Sequence, residues 1–213
     1  ESSGHPHNES CFVKRRDAKG NVAKEWRTLT AIDAKDAQEL ERCLEAGLRG
    51  LGELGPDGQR FDIGDRRVMA ATAEVLQRYD LPLMTHSSEP MGHQYAGKGQ
   101  TFPWKLVKLA QNFPDLKIVL AHWGGGLPFF ELMPEIREAC RNVYYDSAAS
   151  TYLYSFDIFP VAVRLVGAER IVWGTDYPLL SQAKFLARVR SSGLSEAELE
   201  AGAERGRTAA VSG

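Results

Sequence analysis

Over 213 residues, 26 Lys and Arg stand against 28 Asp and Glu, giving a formal net charge of -2, with 43% apolar and 25% charged residues. That balance belongs to a globular chain able to bury a core. No run approaches the ~20 apolar residues of a membrane span, and no basic block offers phosphate a sequence-independent surface, so neither a membrane protein nor a general nucleic-acid binder fits. Cys11, Cys43 and Cys140 are an odd number at wide spacing without a CxxC, which argues against a disulfide framework and for a reducing cytoplasm. The opening Glu1-Ser-Ser-Gly carries no export signal pattern.

In chain order, short β-branched runs alternate with longer amphipathic segments. Strands are expected at residues 26–32, 48–54, 81–85, 117–121, 143–146 and 171–174. Helices are expected at 37–46, closed by Gly47, then at 66–79, at 104–112 opened by Pro103, at 129–141 and at about 156–166. No Pro/Gly/Ser-rich linker divides them, so residues 1–213 read as a single domain. Strands apolar on both faces and separated by helices form a parallel sheet, either a closed (β/α) barrel or an open doubly wound sheet.

The polar residues favour the barrel. His86 follows Leu-Pro-Leu-Met-Thr, His122 follows Lys-Ile-Val-Leu-Ala, Asp146 follows Val-Tyr-Tyr, and Asp176 follows Arg-Ile-Val-Trp-Gly-Thr. Each comes at the C-terminal end of a strand, and a (β/α) barrel brings all such ends to one face. A doubly wound sheet would carry a GxGxxG phosphate loop, which Gly124-Gly-Gly does not match. Two imidazoles and a carboxylate delivered from three strand ends are ligand types for Zn²⁺ or a similar divalent ion, and metal-assisted hydrolysis is the first expectation.

The segments Thr-His86-Ser-Ser-Glu-Pro-Met-Gly-His, Leu-Ala-His122-Trp-Gly-Gly-Gly, Val-Tyr-Tyr-Asp146-Ser-Ala-Ala-Ser and Val-Trp-Gly-Thr-Asp176-Tyr-Pro-Leu resemble the amidohydrolase-related family of metal-dependent TIM-barrel hydrolases. This branch also holds aminocarboxymuconate semialdehyde decarboxylase. The resemblance runs from about Trp26 to Ser195. It implies a (β/α)8 TIM barrel in which His86 and Asp176 bind the metal, with zinc as the expected ion. By the same resemblance His122 binds substrate, moves a proton or reaches a second metal, so His122 and Asp176 are the catalytic candidates. Asp146 receives no role from the family.

Family members place a His-x-His pair after strand one, and the His-x-His present here, His5-Pro-His7, follows no apolar run. With six strands where eight close the ring, the expectation is an N-terminally truncated barrel lacking its first one or two strands, with apolar edge residues exposed along the strands of Trp26 and Ile171. Residues 196–213 depart from the family's C-terminal helix and are expected to be a loose or atypical tail.

Glu53, closing a strand, is a candidate bridge to a second metal, against a substrate-facing or salt-bridged role. Trp123, Asp146 and Tyr177 are candidates for the substrate pocket, while His93, Tyr95 and Lys98 lie in the long loop after His86. Three functions stay open: hydrolysis of a small carbonyl-containing substrate by metal-activated water, metal-dependent non-oxidative decarboxylation, and a non-catalytic or incomplete barrel. Expected partners are a small-molecule substrate and, for assembly, a homo-oligomer.

Overall fold

The computed structural model describes residues 11–16, 22–27 and 34–211, with side chains over 36–203. His5 and His7 lie outside the described residues.

Strands β1 (Cys11–Arg16) and β2 (Val22–Arg27) pair antiparallel, with Cys11 opposite Arg27 and Arg16 opposite Val22. This differs from the expected barrel strand at 26–32, of which 28–32 lie outside the described residues. Two alternating runs flanking Asp-Ala-Lys-Gly-Asn carry a hairpin signal that a search for buried parallel strands passes over.

The main sheet is parallel and ordered β3 (Leu51–Leu54), β4 (Leu83–Thr85), β5 (Ile118–Leu120), β6 (Val143–Asp146), β7 (Ile171–Val172). Each strand lies beside its predecessor in sequence, with no reversal of order. A doubly wound sheet reverses order at its ligand crevice, so this progressive winding is that of a barrel. Leu83 and Thr85, Ile118 and Leu120, and Val143 and Tyr145 are all buried.

The helices carry their apolar residues at helical spacing. In α1 (Ala34–Glu45), Ala37, Leu40 and Leu44 are buried. After the short α2 (Pro56–Gln59), α3 (Arg66–Arg78) is opened by Asp65, whose carboxylate accepts from Arg67 N–H at 2.9 Å, and buries Met69, Ala73 and Leu76. Proline starts α4 (Pro103–Asn112) at its first turn. The helix expected at 129–141 is two pieces, α5 (Leu127–Phe130) and α6 (Pro134–Ala139). Pro134 has no N–H to continue a helix and begins a new one instead. The short α7 (Ser150–Leu153) precedes α8 (Ile158–Val166), which buries Ile158, Phe159, Ala162 and Val166, and α9 (Gln182–Arg190) follows β7.

Two expectations about the edges are corrected. Ile171 is 1% exposed, not an open apolar edge. Residues 196–211 are helical, forming α10 (Glu196–Val211), rather than loose. Leu199 is buried, and a Cβ on Gly202 would lie 2.2 Å from Trp173 Nε1, so this helix closes against the loop leaving β7.

Cys43 and Cys140 are buried, and Cys140 is a free thiol. No helix among the described residues is long and apolar enough to cross a membrane.

Candidate metal centre

Neighbouring strand ends bring three ligand-type side chains together. Between Leu51 and Leu54 the register of β3 against β4 shifts. Glu53 sits within that irregular stretch, and irregularities of this kind re-aim side chains at strand ends. His86 directly follows β4, its N–H donating to Leu54 O at 2.8 Å, and Ala121 N–H, just before His122, donates to Thr85 O at 2.9 Å. The ladder thus continues far enough to fix both histidines beside Glu53.

His122 enters a turn in which residues 122–125 all have φ between 56° and 62°. A Cβ on Gly125 would lie 2.3 Å from Ser88 O, so the loop after β4 and this turn touch through backbone. Only glycine satisfies both the left-handed φ and that approach. The three-glycine run is therefore a packing device that seats His122 against the His86 loop, rather than a phosphate cradle.

His86 Nδ1 lies 3.1 Å and His122 Nε2 3.5 Å from the same oxygen, Glu53 Oε1, and the two rings meet edge-on with centroids 4.8 Å apart. One ligand atom from each of Glu53, His86 and His122 falls within 4.8 Å of the others. The far ring nitrogens face backbone carbonyls, His86 Nε2 against Gly97 O at 3.2 Å and His122 Nδ1 against Ala148 O at 3.3 Å. A carbonyl can only accept, so a far nitrogen bonded to one carries a proton; the near nitrogen is turned to Glu53, to which it donates when protonated and beside which it can ligate an ion when not. Ligating imidazoles are oriented in this way, and the donor set suits a divalent transition ion.

Burial opposes charge at this site, and pairing overcomes it. It works to raise the Glu53 carboxyl, yet hydrogen bonds and charge from His122 and His86 bring it down to about 2. It works to lower His122, yet the bond and charge of Glu53, with Asp146 and the Ala148 carbonyl, hold it up to about 9. Asp146 is raised to about 7, chiefly by burial, although His122 and Ala148 N–H at 3.0 Å favour its ionised form.

The Glu53–His122 pair makes the stability of the ion-free chain depend on pH. The His122 contribution is complete below its ordinary value of 6.5 and is lost as pH rises through about 9, whereas that of Glu53 is complete above 4.5 and is lost as pH falls through about 2. The melting temperature of the ion-free chain is therefore expected to fall between pH 7 and 10 more steeply than that of Glu53→Gln, in which His122 has lost its partner. Parallel curves would contradict the pairing.

The other expected site residues are dispersed. Asp176, at φ 60°, is exposed and lies outside the Glu53–His86–His122 group, although its charge is among those acting on Asp146. Asp146 is 3% exposed, and a Cβ on Gly174 would lie 2.1 Å from its Oδ1, so it sits behind the site instead of lining an open pocket. Trp123 is corrected from pocket to core. Its indole donates to Ser150 Oγ at 2.7 Å and packs edge-on against Phe159, because the left-handed turn directs consecutive side chains to different sides. Tyr177 is 72% exposed.

The family model described as Amidohydrolase matches residues 18–202. The chain belongs to the amidohydrolase family. It is 25% identical to 2-amino-3-carboxymuconate-6-semialdehyde decarboxylase of Dictyostelium discoideum, over 66% of this chain and 46% of that protein. The chain thus spans about half the length of the curated relative it matches. Among solved structures it is similar to 5-carboxyvanillate decarboxylase LigW from Sphingomonas paucimobilis, with TM-score 0.64, 19% identity, and coverage of 83% of this chain and 62% of that one. A dihydroxybenzoic acid decarboxylase from Polaromonas sp. JS666, solved with bound manganese and the inhibitor 2-nitroresorcinol, gives TM-score 0.63 and 19% identity, covering 83% of this chain and 65% of the other. At these identities the structures establish the fold, and the five parallel strands are consecutive strands of a TIM barrel.

Proposed function

We propose that this site serves metal-dependent, non-oxidative decarboxylation of a small aromatic or enoic carboxylic acid. Glu53, His86 and His122, gathered at the C-terminal strand ends, carry this reading. The similar proteins named above are decarboxylases, which favours carboxy-lyase chemistry over the hydrolysis expected first. In this reading His86 and Glu53 hold the divalent ion, and Asp176 is the remaining candidate ligand from the β7 side. Zinc and manganese both suit a mixed imidazole and carboxylate set.

When bound, the ion supplies positive charge that fixes the substrate's anionic groups and stabilises negative charge developing on them. His122 is the proton donor. Its Nδ1–H is held by Ala148 O, and Glu53 favours its charged form. A proton moves from His122 Nε2 to the carbon bearing the carboxylate. The bond from that carbon to the carboxylate then breaks, CO₂ leaves, and the bonding pair restores the unsaturated system.

A second reading is favoured by the common reach of all three ligand atoms, in which His122 also binds the ion. A reducing cytoplasm, the setting of this proposal, accords with the free, buried thiol of Cys140.

The test is CO₂ release from a panel of hydroxybenzoic acids by the Mn²⁺- or Zn²⁺-loaded chain, run beside lactone and amide hydrolysis. Metal-dependent CO₂ release is expected. Hydrolysis without CO₂ would restore the hydrolase reading, and metal binding with neither reaction would favour the non-catalytic barrel.

A further inference from the structure

The loop between His86 and α4 is built around one lysine. Ser88 N–H donates to Thr101 O at 3.0 Å and closes the base of the loop. Within it, Lys98 Nζ donates to the carbonyls of Met91 at 2.6 Å, His93 at 3.0 Å and Gly92 at 3.4 Å, and it lies 5.8 Å from the centre of the Tyr95 ring. An ammonium has three donors, and here three converging carbonyls take them, a geometry that a planar guanidinium does not reproduce.

A second clamp comes from another element. Asp57 Oδ2, in α2, accepts from Gln100 N–H at 2.8 Å, Thr101 N–H at 3.0 Å and Thr101 Oγ–H at 2.8 Å. The groups that touch His86 belong to the same loop. Gly97 O faces Nε2 at 3.2 Å, and Ser88 Oγ, which accepts from Gly99 N–H at 2.9 Å, lies 3.5 Å from the same nitrogen.

We propose that Lys98 is a positioning residue: by gathering the carbonyls of residues 91–93 it fixes this loop over the site, so that Gly97 O holds the Nε2–H of His86 and leaves Nδ1 as the ligating atom. Lys98 acts through these carbonyls, to which its Nζ donors are given. The ligating imidazole is thus oriented by a strap whose geometry is set by an ammonium and by the Asp57 carboxylate. For ion affinity the inference rests on His86 being a ligand, and for ring orientation it stands without the ion.

Two readouts on the full chain keep these parts separate. In the ion-free protein, nitrogen-15 NMR is expected to show a slowly exchanging Nε2–H on His86, and Lys98→Met is expected to lose it while the melting temperature stays close to that of the parent. Cobalt(II) titration, followed by its visible absorption, is expected to show affinity about 10–100-fold lower in Lys98→Met, the size found when a group orienting a ligand is removed. Asp57→Asn loosens the other clamp and should repeat both effects, which keeps the test decisive if one variant folds poorly. An unchanged His86 N–H signal in both variants overturns the inference. Failure of the parent chain to bind cobalt would sink the metal reading alone, because the NMR signal still decides the orientation of His86.

Discussion

Alanine in place of His86 is expected to strip the divalent ion from the proposed site, with a loss of affinity beyond the roughly 10–100-fold caused by removing a group that only orients a ligand. In the proposed site His86 supplies one bond of about four, from the Nδ1 that faces Glu53 at 3.1 Å. His122→Ala behaves differently. In the proposed reaction His122 delivers the proton, so its loss is expected to leave metal content near normal while kcat falls about 100-fold or more, the scale on which a single stabilising donor acts. Metal analysis of the purified variants, paired with CO₂ release, checks both. Loss of metal in His122→Ala would establish the second reading, with Glu53 joining two imidazoles to the ion, whereas full metal content in His86→Ala would overturn the assignment.

Glu131→Ala is expected to destabilise the chain by about 3–5 kcal/mol, the cost of leaving a largely buried charge without its partner. Glu131 is fully buried at the end of α5. Arg170, just before β7, meets it through both terminal nitrogens and also donates to Cys140 O and Val166 O, each at 2.9 Å. Tyr145 Oη, from β6, donates to Glu131 Oε1 at 2.5 Å. One carboxylate therefore joins α5, β6 and the start of β7, and burial together with that carboxylate keeps the Cys140 thiol up at about 12, unreactive. Urea unfolding measures the loss. The double variant Glu131→Leu/Arg170→Met should recover much of it, because replacing a buried pair by apolar side chains is often close to neutral. A loss below about 1 kcal/mol in Glu131→Ala would show the pair to be solvated in practice.

Much of the sheet was legible because β4, β5 and β6 are apolar runs that lead into a polar residue, and the strand-end position of His86 and His122 follows directly from that punctuation. Glu53 was visible as a strand-end carboxylate, but its place between both imidazoles depends on a register shift that residue types do not announce. The groups that orient the two rings are the carbonyls of Gly97 and Ala148, and a backbone oxygen has no signature in sequence. Trp123 was misplaced because a turn through left-handed φ values sends it into the core while the adjacent His122 faces the site. The helix at Glu196–Val211 was hidden by its composition. Alanines and glycines give it little amphipathic pattern, yet the absence of a side chain at Gly202 is what lets the indole of Trp173 approach.

The most direct measurement is a crystal structure of the chain grown with manganese, with the ion located by its anomalous scattering. A single strong peak is expected at the C-terminal strand ends, within bonding distance of His86 Nδ1 and a Glu53 carboxylate oxygen, with His86 Nε2 still on Gly97 O. A peak bonded to neither His86 nor Glu53, or none at saturating manganese, would contradict the assignment.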